Sequence, residues 1–397
     1  MATLHELITK VIPLKGILRI PSYWMREVLT AIADAVEAVD AKLVSVSDKL
    51  AHKDELLTKA IFYAKTGEPF FILDKGTKMI IDGNTVQAEP YTVYKAKSLT
   101  FRNDNFSATK VDFLISLNIP AISFNNCNGL TSLNVSNFDT SAVTNMEVMF
   151  SGCTGLTSLD LSNFDTSAVT NMHAMFSGCS GLTSLDLSSF DTSAVTNMNY
   201  MFSGCTALTS LNLSSFNTSA VTNMSSMFGS CSGLTSLNLS SFNTSAVTDM
   251  ISMFSSCSGL TSLNLSNFDT SAVTNMRDMF GGCSGLTSLD LSSFDTSAVT
   301  DMNYMFSGCT GLTSLNLSSF NTSAVTDMQS MFSGCSSLTS LDLSNFDISK
   351  VLGRWNAFEN CTALRNIKCK QAFKDWCVAN ASTIKLTVSN ITWEIVQ

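Results

Sequence analysis

The chain of 397 residues is 45% apolar and only 14% charged, which excludes an intrinsically disordered protein and leaves room for roughly two to three domains with sizeable cores. Its net charge of −9 argues against sequence-independent binding to nucleic acid, whose phosphates need a basic face. No apolar run reaches the ~18 residues of a bilayer span, so no membrane span is predicted.

Residues 1–21 lack a basic stretch followed by an unbroken apolar core, so they do not read as a secretory signal. Within them VIPLKGILRI, from Val11 to Ile20, reads as an extended docking arm. Residues 22–66 then read as one long helix that Ser22 can cap. Inside it Leu29, Ile32, Val36, Val39, Leu43, Val46 and Leu50 recur at spacings of three and four. Leucine and valine at the first heptad position, with isoleucine or valine at the fourth, favour a self-associating coiled coil of more than two strands, a trimer first. An amphipathic helix lying on its own domain fits the same stripe. Residues 67–98 shift to a strand-like period, with a hairpin expected over Met79–Val86 and its turn at Asp82-Gly83. Residues 99–126 read as a degenerate first coil that shields the apolar end of a repeat array.

From residue 127 the chain repeats. Cys127, Cys153, Cys179, Cys205, Cys231, Cys257, Cys283, Cys309, Cys335 and Cys361 are each 26 residues apart, which gives nine units over 127–360. The unit starting at Cys179 and the one starting at Cys283 differ only in Asn197 against Asp301. Leu156, Leu159 and Leu161 form L-x-x-L-x-L, the signature of a short strand, and Phe164 follows. Val169, Met172, Met175 and Phe176 then suggest a helical or 3₁₀ turn on the return side. Ser-Gly before Cys153, Cys179, Cys205, Cys309 and Cys335 supplies a tight corner. One such unit cannot bury its apolar side alone, so the units must stack. The predicted class is an α/β repeat, a leucine-rich-repeat-like solenoid with caps, preceded by the helix and the small β module. Residues 361–397 form the closing cap, with a last L-x-x-L-x-L rung at Leu364, Ile367 and Cys369, a helix near 371–381 and two strands.

The unit LTSLDLSSFDTSAVTNMNYMFSGC, Leu182 to Cys205, resembles the BspA-type leucine-rich repeat of bacterial surface proteins, and the likeness covers about 127–369. That resemblance implies a right-handed solenoid and a role in extracellular adhesion or recognition. The order of parts, arm, oligomerising helix, β module and repeat rod, also resembles the layout of a bacteriophage fibre.

The cysteine column has no C-x-x-C pairing and is expected to be a ladder of buried, reduced thiols without metal. Cys369 and Cys377, outside the ladder, could bridge or simply pack the cap. Thr157, Ser158, Asp160 and Ser162 make a polar strand face, on which Asp alternates with Asn and dilutes like-charge repulsion between rungs. Residues 127–360 carry a net charge of −13. Calcium between Asp rungs has no supporting loop motif, and no cofactor is expected.

One column varies in chemistry, the pair between the two methionines. It contains Glu147-Val148, His173-Ala174, Asn199-Tyr200, Ser225-Ser226, Ile251-Ser252, Arg277-Asp278, Asn303-Tyr304 and Gln329-Ser330. On a helical Met-x-x-Met turn the pair would point outward. Glu147, His173, Asn199, Tyr200, Arg277, Asp278, Asn303, Tyr304 and Gln329 are therefore the candidate binding residues, although variation of exposed positions also fits lack of constraint. No catalytic residues are expected, because near-identical units cannot gather unlike groups at one tuned place, and G-x-S-x-G, H-E-x-x-H and P-loop motifs are absent. The expected function is structural and recognition work in a virion assembled in the host cytoplasm, with residues 1–66 joining virion or surface proteins and the array meeting a host-surface glycan or protein. A bacterial cell-surface adhesin and a cytoplasmic protein-binding scaffold are the alternatives.

Overall fold

The computed structural model describes residues 121–397 apart from 136–137, together with strand segments between 70 and 112. The docking arm, the 22–66 helix and its seven stripe residues Leu29, Ile32, Val36, Val39, Leu43, Val46 and Leu50 lie outside the described residues. The strands are β1 (Phe70–Phe71), β2 (Lys78–Ile81), β3 (Asn84–Gln87), β4 (Tyr94–Lys95), β5 (Ser98–Thr100), β6 (Lys110–Asp112), β7 (Ala121–Ser123), β8 (Ser132–Asn134), β9 (Ser314–Asn316), β10 (Ser340–Leu343), β11 (Asn366–Lys370) and β12 (Thr392–Val396). The helix α1 (Gln371–Ile384) and a 3₁₀ turn at Val388–Asn390 lie in the closing segment.

A 26-residue period places each residue type at the same point of successive coils, so the apolar columns become layers of one core. Leu156, Leu159, Leu161, Phe164, Val169, Met172, Met175, Phe176 and Cys179 are all buried, as are their counterparts in the following coils up to Cys335; in the last coil Arg354 and Cys361 are half-buried. The Phe176 ring stacks on Phe202 at 5.8 Å and 4°, and Phe254 repeats this with Phe228 and Phe280 at 5.8 Å and 6°. Two side chains of one coil would be half wet; between two coils they are dry, and this is why the array is stable only as a stack. Replacing Phe254 with Ala should therefore cost about 3–5 kcal/mol, because its layer contacts both neighbours and cannot collapse without shifting them. Urea unfolding measures it, and a loss below about 1 kcal/mol would show that the ring column is not what ties the rungs together.

On the leucine side the side chains point inward as the L-x-x-L-x-L pattern requires. Parallel pairing joins β9, β10, β11 and β12, with Leu315, Leu341 and Ile367 in register. Across the middle rungs the same segment is extended but held more loosely; Thr235 N–H reaches Thr209 C=O at 3.4 Å, against 2.8 Å for Thr339 to Thr313. At the other end β6 pairs parallel with β8, and a separate sheet runs β3-β2-β5-β7. The β2–β3 pairing is antiparallel, with Ile81 opposite Asn84; the Asp82-Gly83 turn between them lies outside the described residues.

The methionine side differs from expectation. Met-x-x-Met is not a helical turn. Met149 N–H does close on Met146 C=O at 3.3 Å, but Val148 has φ 50°, and Ala174, Tyr200, Ser226, Ser252, Asp278, Tyr304 and Ser330 at the same place have φ 51–60°. A helix would keep φ negative throughout; here a residue of positive φ follows one of negative φ, and Gly152 at φ 72° repeats the device before the cysteine. The Ser-Gly corner thus has its reason, and where Gly is missing Ser230 and Ser256 adopt φ 61° and 59°.

This alternation turns every second peptide plane the same way. Met172, Ala174, Phe176 and Gly178 donate N–H to Asn197, Asn199, Met201 and Ser203 of the next rung. The carbonyls of those same peptide units, from Asn171, His173, Met175 and Ser177, accept from the rung before. Peptide dipoles of ~3.5 D therefore add along the stack, as they do in a helix, with the donor end toward the C-terminus. The closing segment satisfies that end: Asn356 and Phe358 donate to Thr383 and Ile384, the last carbonyls of α1, at 2.9 Å each. The negative end of the helix meets the positive end of the ladder.

Candidate recognition edge

The variable pair is held by an Asx turn in each rung. Asn171 Oδ1 accepts the His173 N–H at 2.9 Å, Asn197 that of Asn199 at 3.1 Å, and Asp301 that of Asn303 at 2.9 Å. Either Asn or Asp supplies the needed oxygen, which explains their exchange in this column. Eight parallel bridges join the turn residues from Asn145 to Gly353 into one line, so the pairs that follow them fall along a single edge.

The two positions of the pair are not equivalent. Glu147 and Arg277 stand exposed, and His173, Asn199, Asn303 and Gln329 are partly covered by neighbouring rungs. The second residue is turned toward the stack by its left-handed backbone; Ala174, Ser226 and Ser330 are buried and Asp278 and Tyr304 half-buried, while Tyr200 remains 43% exposed. The expectation that both residues point outward is corrected on this point. Neighbouring rungs brace each other: His173 Nδ1 lies 2.5 Å from Asn199 Oδ1, and its ring meets Tyr200 edge to face at 5.9 Å. Ser252 donates to Asp278 at 3.1 Å, and Gln329 Nε2 donates to the Tyr304 hydroxyl at 3.1 Å. Ser225 Oγ and Asn303 Oδ1 are buried without a hydrogen-bond partner.

Two further Asn/Asp columns do the same local work. Asp160 accepts from the Ser162 N–H at 3.0 Å, and Asn212 does so from Ser214 at 3.1 Å. Asp165 takes both the hydroxyl and the N–H of Ser167, at 2.6 and 3.0 Å. The Ser167 hydroxyl first and its N–H second hold the Asp165 carboxyl below the usual 3.8, and the Ser162 N–H first and its hydroxyl second do this for Asp160. A depressed native value means stability that is complete above 3.8 and lost as pH falls through the native value. Changing Asp165, Asp191, Asp269 and Asp295 together to Asn should leave melting at pH 7 nearly unchanged, because the Asx oxygen remains, and should flatten its decline below pH 4. Melting curves at both pH values decide this; an unchanged acid slope would remove these carboxylates from the explanation.

Some organising residues carry a signal that periodicity did not single out. Thr166, Thr192, Thr218, Thr244, Thr270 and Thr296 are buried, and each hydroxyl donates to the carbonyl of the next rung; for Thr218 and Asn243 the distance is 2.7 Å. The Asn243 N–H returns to the Thr218 hydroxyl at 2.8 Å, so one side chain pins both groups. The signal is the Thr that follows Phe-Asp or Phe-Asn in every unit, and Ile348 breaks it where the array ends. On the leucine face Lys368 occupies the acidic column, 3.3 Å from Asp342 and 3.8 Å from Glu394, in an open groove of about 360 Å³ beside Asn316 and Asn366. Trp355, in the variable column past the last methionine, is 62% exposed.

The thiols point inward. Cys179 donates to Phe150 C=O at 3.0 Å and Cys231 to Phe202 C=O at 3.0 Å. Burial pushes Cys153, Cys257 and Cys335 up to about 12. Cys369 and Cys377 are both buried in the cap. Among the described residues no three His, Cys, Asp or Glu side chains converge on one point, and no helix is long and apolar enough to cross a membrane.

Comparison with curated proteins and with solved structures finds no match. A family model described as Mycoplasma protein of unknown function, DUF285, matches three times, over residues 121–234, 207–313 and 282–392. The overlapping matches cover the stacked coils and together run through more than half of the sequence; the chain belongs to the DUF285 repeat family.

Proposed function

We propose that this is a non-enzymatic structural and recognition protein, a rigid nine-unit leucine-rich-repeat solenoid that displays one variable edge for adhesion. The observation that carries the reading is the concentration of chemical variety at the Met-x-x-Met pair, while the core columns stay nearly constant. Constant layers fix the spacing of the rungs, and a repeated scaffold lets a single edge change without disturbing its neighbours. In the virion reading, the 22–66 stripe gathers three chains and residues 1–66 attach them to other virion proteins. The repeat-family membership favours a second reading, a bacterial surface adhesin of the BspA type, in which the same edge faces a host.

Light scattering on the full chain tests the assembly. A trimer is expected, and Val39→Asp with Leu43→Asp should give monomers whose solenoid melts as before, because charge would be buried in the seam alone. Labelled full-length chain applied to bacterial and to animal cells tests the display. Saturable adhesion that is lost on replacing Asn199, Tyr200, Asn303 and Tyr304 with Ser supports the reading. A full-length monomer at high concentration removes the fibre, and adhesion indifferent to those four residues removes the edge.

A further inference from the structure

We propose that the variable edge is a binding track for an extended, uncharged glycan, held at two Asn–Tyr platforms four rungs apart. The inference rests on the display reading above and names its ligand class. The pair Asn199-Tyr200 recurs as Asn303-Tyr304, with both tyrosines in the same left-handed conformation, φ 57° and 60°. Asn199 and Tyr200 are braced by His173 from the rung before, and Tyr304 by Gln329 from the rung after. Such bracing fixes the side chains before a ligand arrives, which lowers the ordering cost of binding.

The shape of the track selects a linear ligand. The edge is one pair of side chains wide and runs the length of the array, whereas a folded partner needs about 800 Å² on each side and an apolar anchor at the centre. An extended peptide would bind a sheet edge through its own backbone. Here that route is closed: the N–H and C=O groups of these turns are already used, between rungs as in Tyr200 to Ser225 at 2.8 Å and Tyr304 to Gln329 at 2.9 Å, or within the rung as in Asn199 to Asn197 Oδ1 and Ser203 to Tyr200. Only side chains remain to read a ligand. They are aromatic rings, which offer an apolar face with a polar tip, and the amino groups of the two amides, since Asn199 Oδ1 is taken by His173 and Asn303 Oδ1 is buried. A pyranose presents the complement, an apolar C–H face ringed by hydroxyls.

Spacing and charge narrow the class further. Between the platforms lie Ser225, Ser226, Ile251, Ser252, Arg277 and Asp278; of these Arg277 alone stands exposed, so a chain passes over the rest and meets one guanidinium that can donate to its hydroxyls. The four rungs span ~19 Å at ordinary strand spacing, and somewhat more at the 5.8 Å seen between the rings of the phenylalanine column. An extended pyranose chain of a few residues bridges that distance. The net charge of −13 over 127–360 repels sulfated or phosphate-bearing polymers.

The test is calorimetric titration of the full chain with cellohexaose, xylohexaose and chitohexaose, each beside its disaccharide, and with heparin as the anionic control. At least one hexasaccharide should bind, roughly tenfold or more tighter than its disaccharide, because only the longer chain reaches both platforms. Tyr200→Ala or Tyr304→Ala should each bring the hexasaccharide down to the disaccharide's affinity, roughly a tenfold loss, with melting unchanged. Binding that survives both changes, or that favours heparin, overturns the proposal. If no oligosaccharide binds but the chain still adheres to cells through the four edge residues, the ligand is a protein: the glycan falls and the display reading stands. If adhesion is absent as well, both fall.

Discussion

Above pH 9 the solenoid should unfold abruptly as its thiols become acids that only the unfolded chain can ionise. Burial raises the ladder cysteines above their ordinary 9.0, with Cys153, Cys257, Cys335 and Cys361 pushed up to about 12. A raised native value gives stability that is complete below the unfolded value and lost as pH climbs from 9.0 toward the native one. Each thiol forfeits ~1.4 kcal/mol for each pH unit in that window. Over the ten ladder cysteines one unit amounts to ~14 kcal/mol, as much as the whole stability of an ordinary domain. Circular dichroism and thiolate absorbance, followed together from pH 8 to 12, should change in one coincident step. A thiol reagent at pH 8 should find few groups in the native chain and nearly all twelve in denaturant. Thiolate appearing at pH 9 to 10 with the dichroism intact would show that water reaches the ladder.

Ending the chain at Lys370 should have an effect of similar size. The removed segment buries Phe373, Cys377, Ile384, Leu386 and Ile391 against the last rung. Four of these are large apolar side chains, each adding ~1.5–3 kcal/mol, so their loss removes roughly 6–12 kcal/mol. The Asn356 and Phe358 N–H groups also lose their carbonyls at Thr383 and Ile384. Because coils depend on their neighbours, damage should spread from that end: hydrogen exchange should rise steeply over 309–360 and least over 153–230. The truncated protein is expected to aggregate through its open end. A truncated chain that melts at the full-length temperature would show that the cap covers the stack without supporting it.

The sequence determined the repeat, the inward columns and the place of the variable pair. A strict interval of 26 residues repeats whatever one coil does, and an apolar residue that recurs in every coil must face the only dry space available. The buried cysteines and the inward Leu, Phe and Met positions were legible for that reason. The handedness at Val148, Tyr200 and Tyr304 was not. Met-x-x-Met spacing suits a helical turn locally, and a non-glycine residue at positive φ carries a local cost that no pattern of apolar residues announces.

That cost is offset only in the stack. With the left-handed residue in place, four N–H groups of one rung meet four carbonyls of the next, a gain that requires a neighbour 26 residues away. The same dependence hides the role of the buried threonines, whose hydroxyls find their acceptors one rung on, and of α1, whose carbonyls close the last rung. Composition and period belong to a single coil and can be read along the chain. The direction of the peptide ladder, the turning of Ala174, Ser226 and Ser330 into the stack and the bracing of Tyr200 by His173 are properties of adjacent coils, and only the tertiary structure decides them.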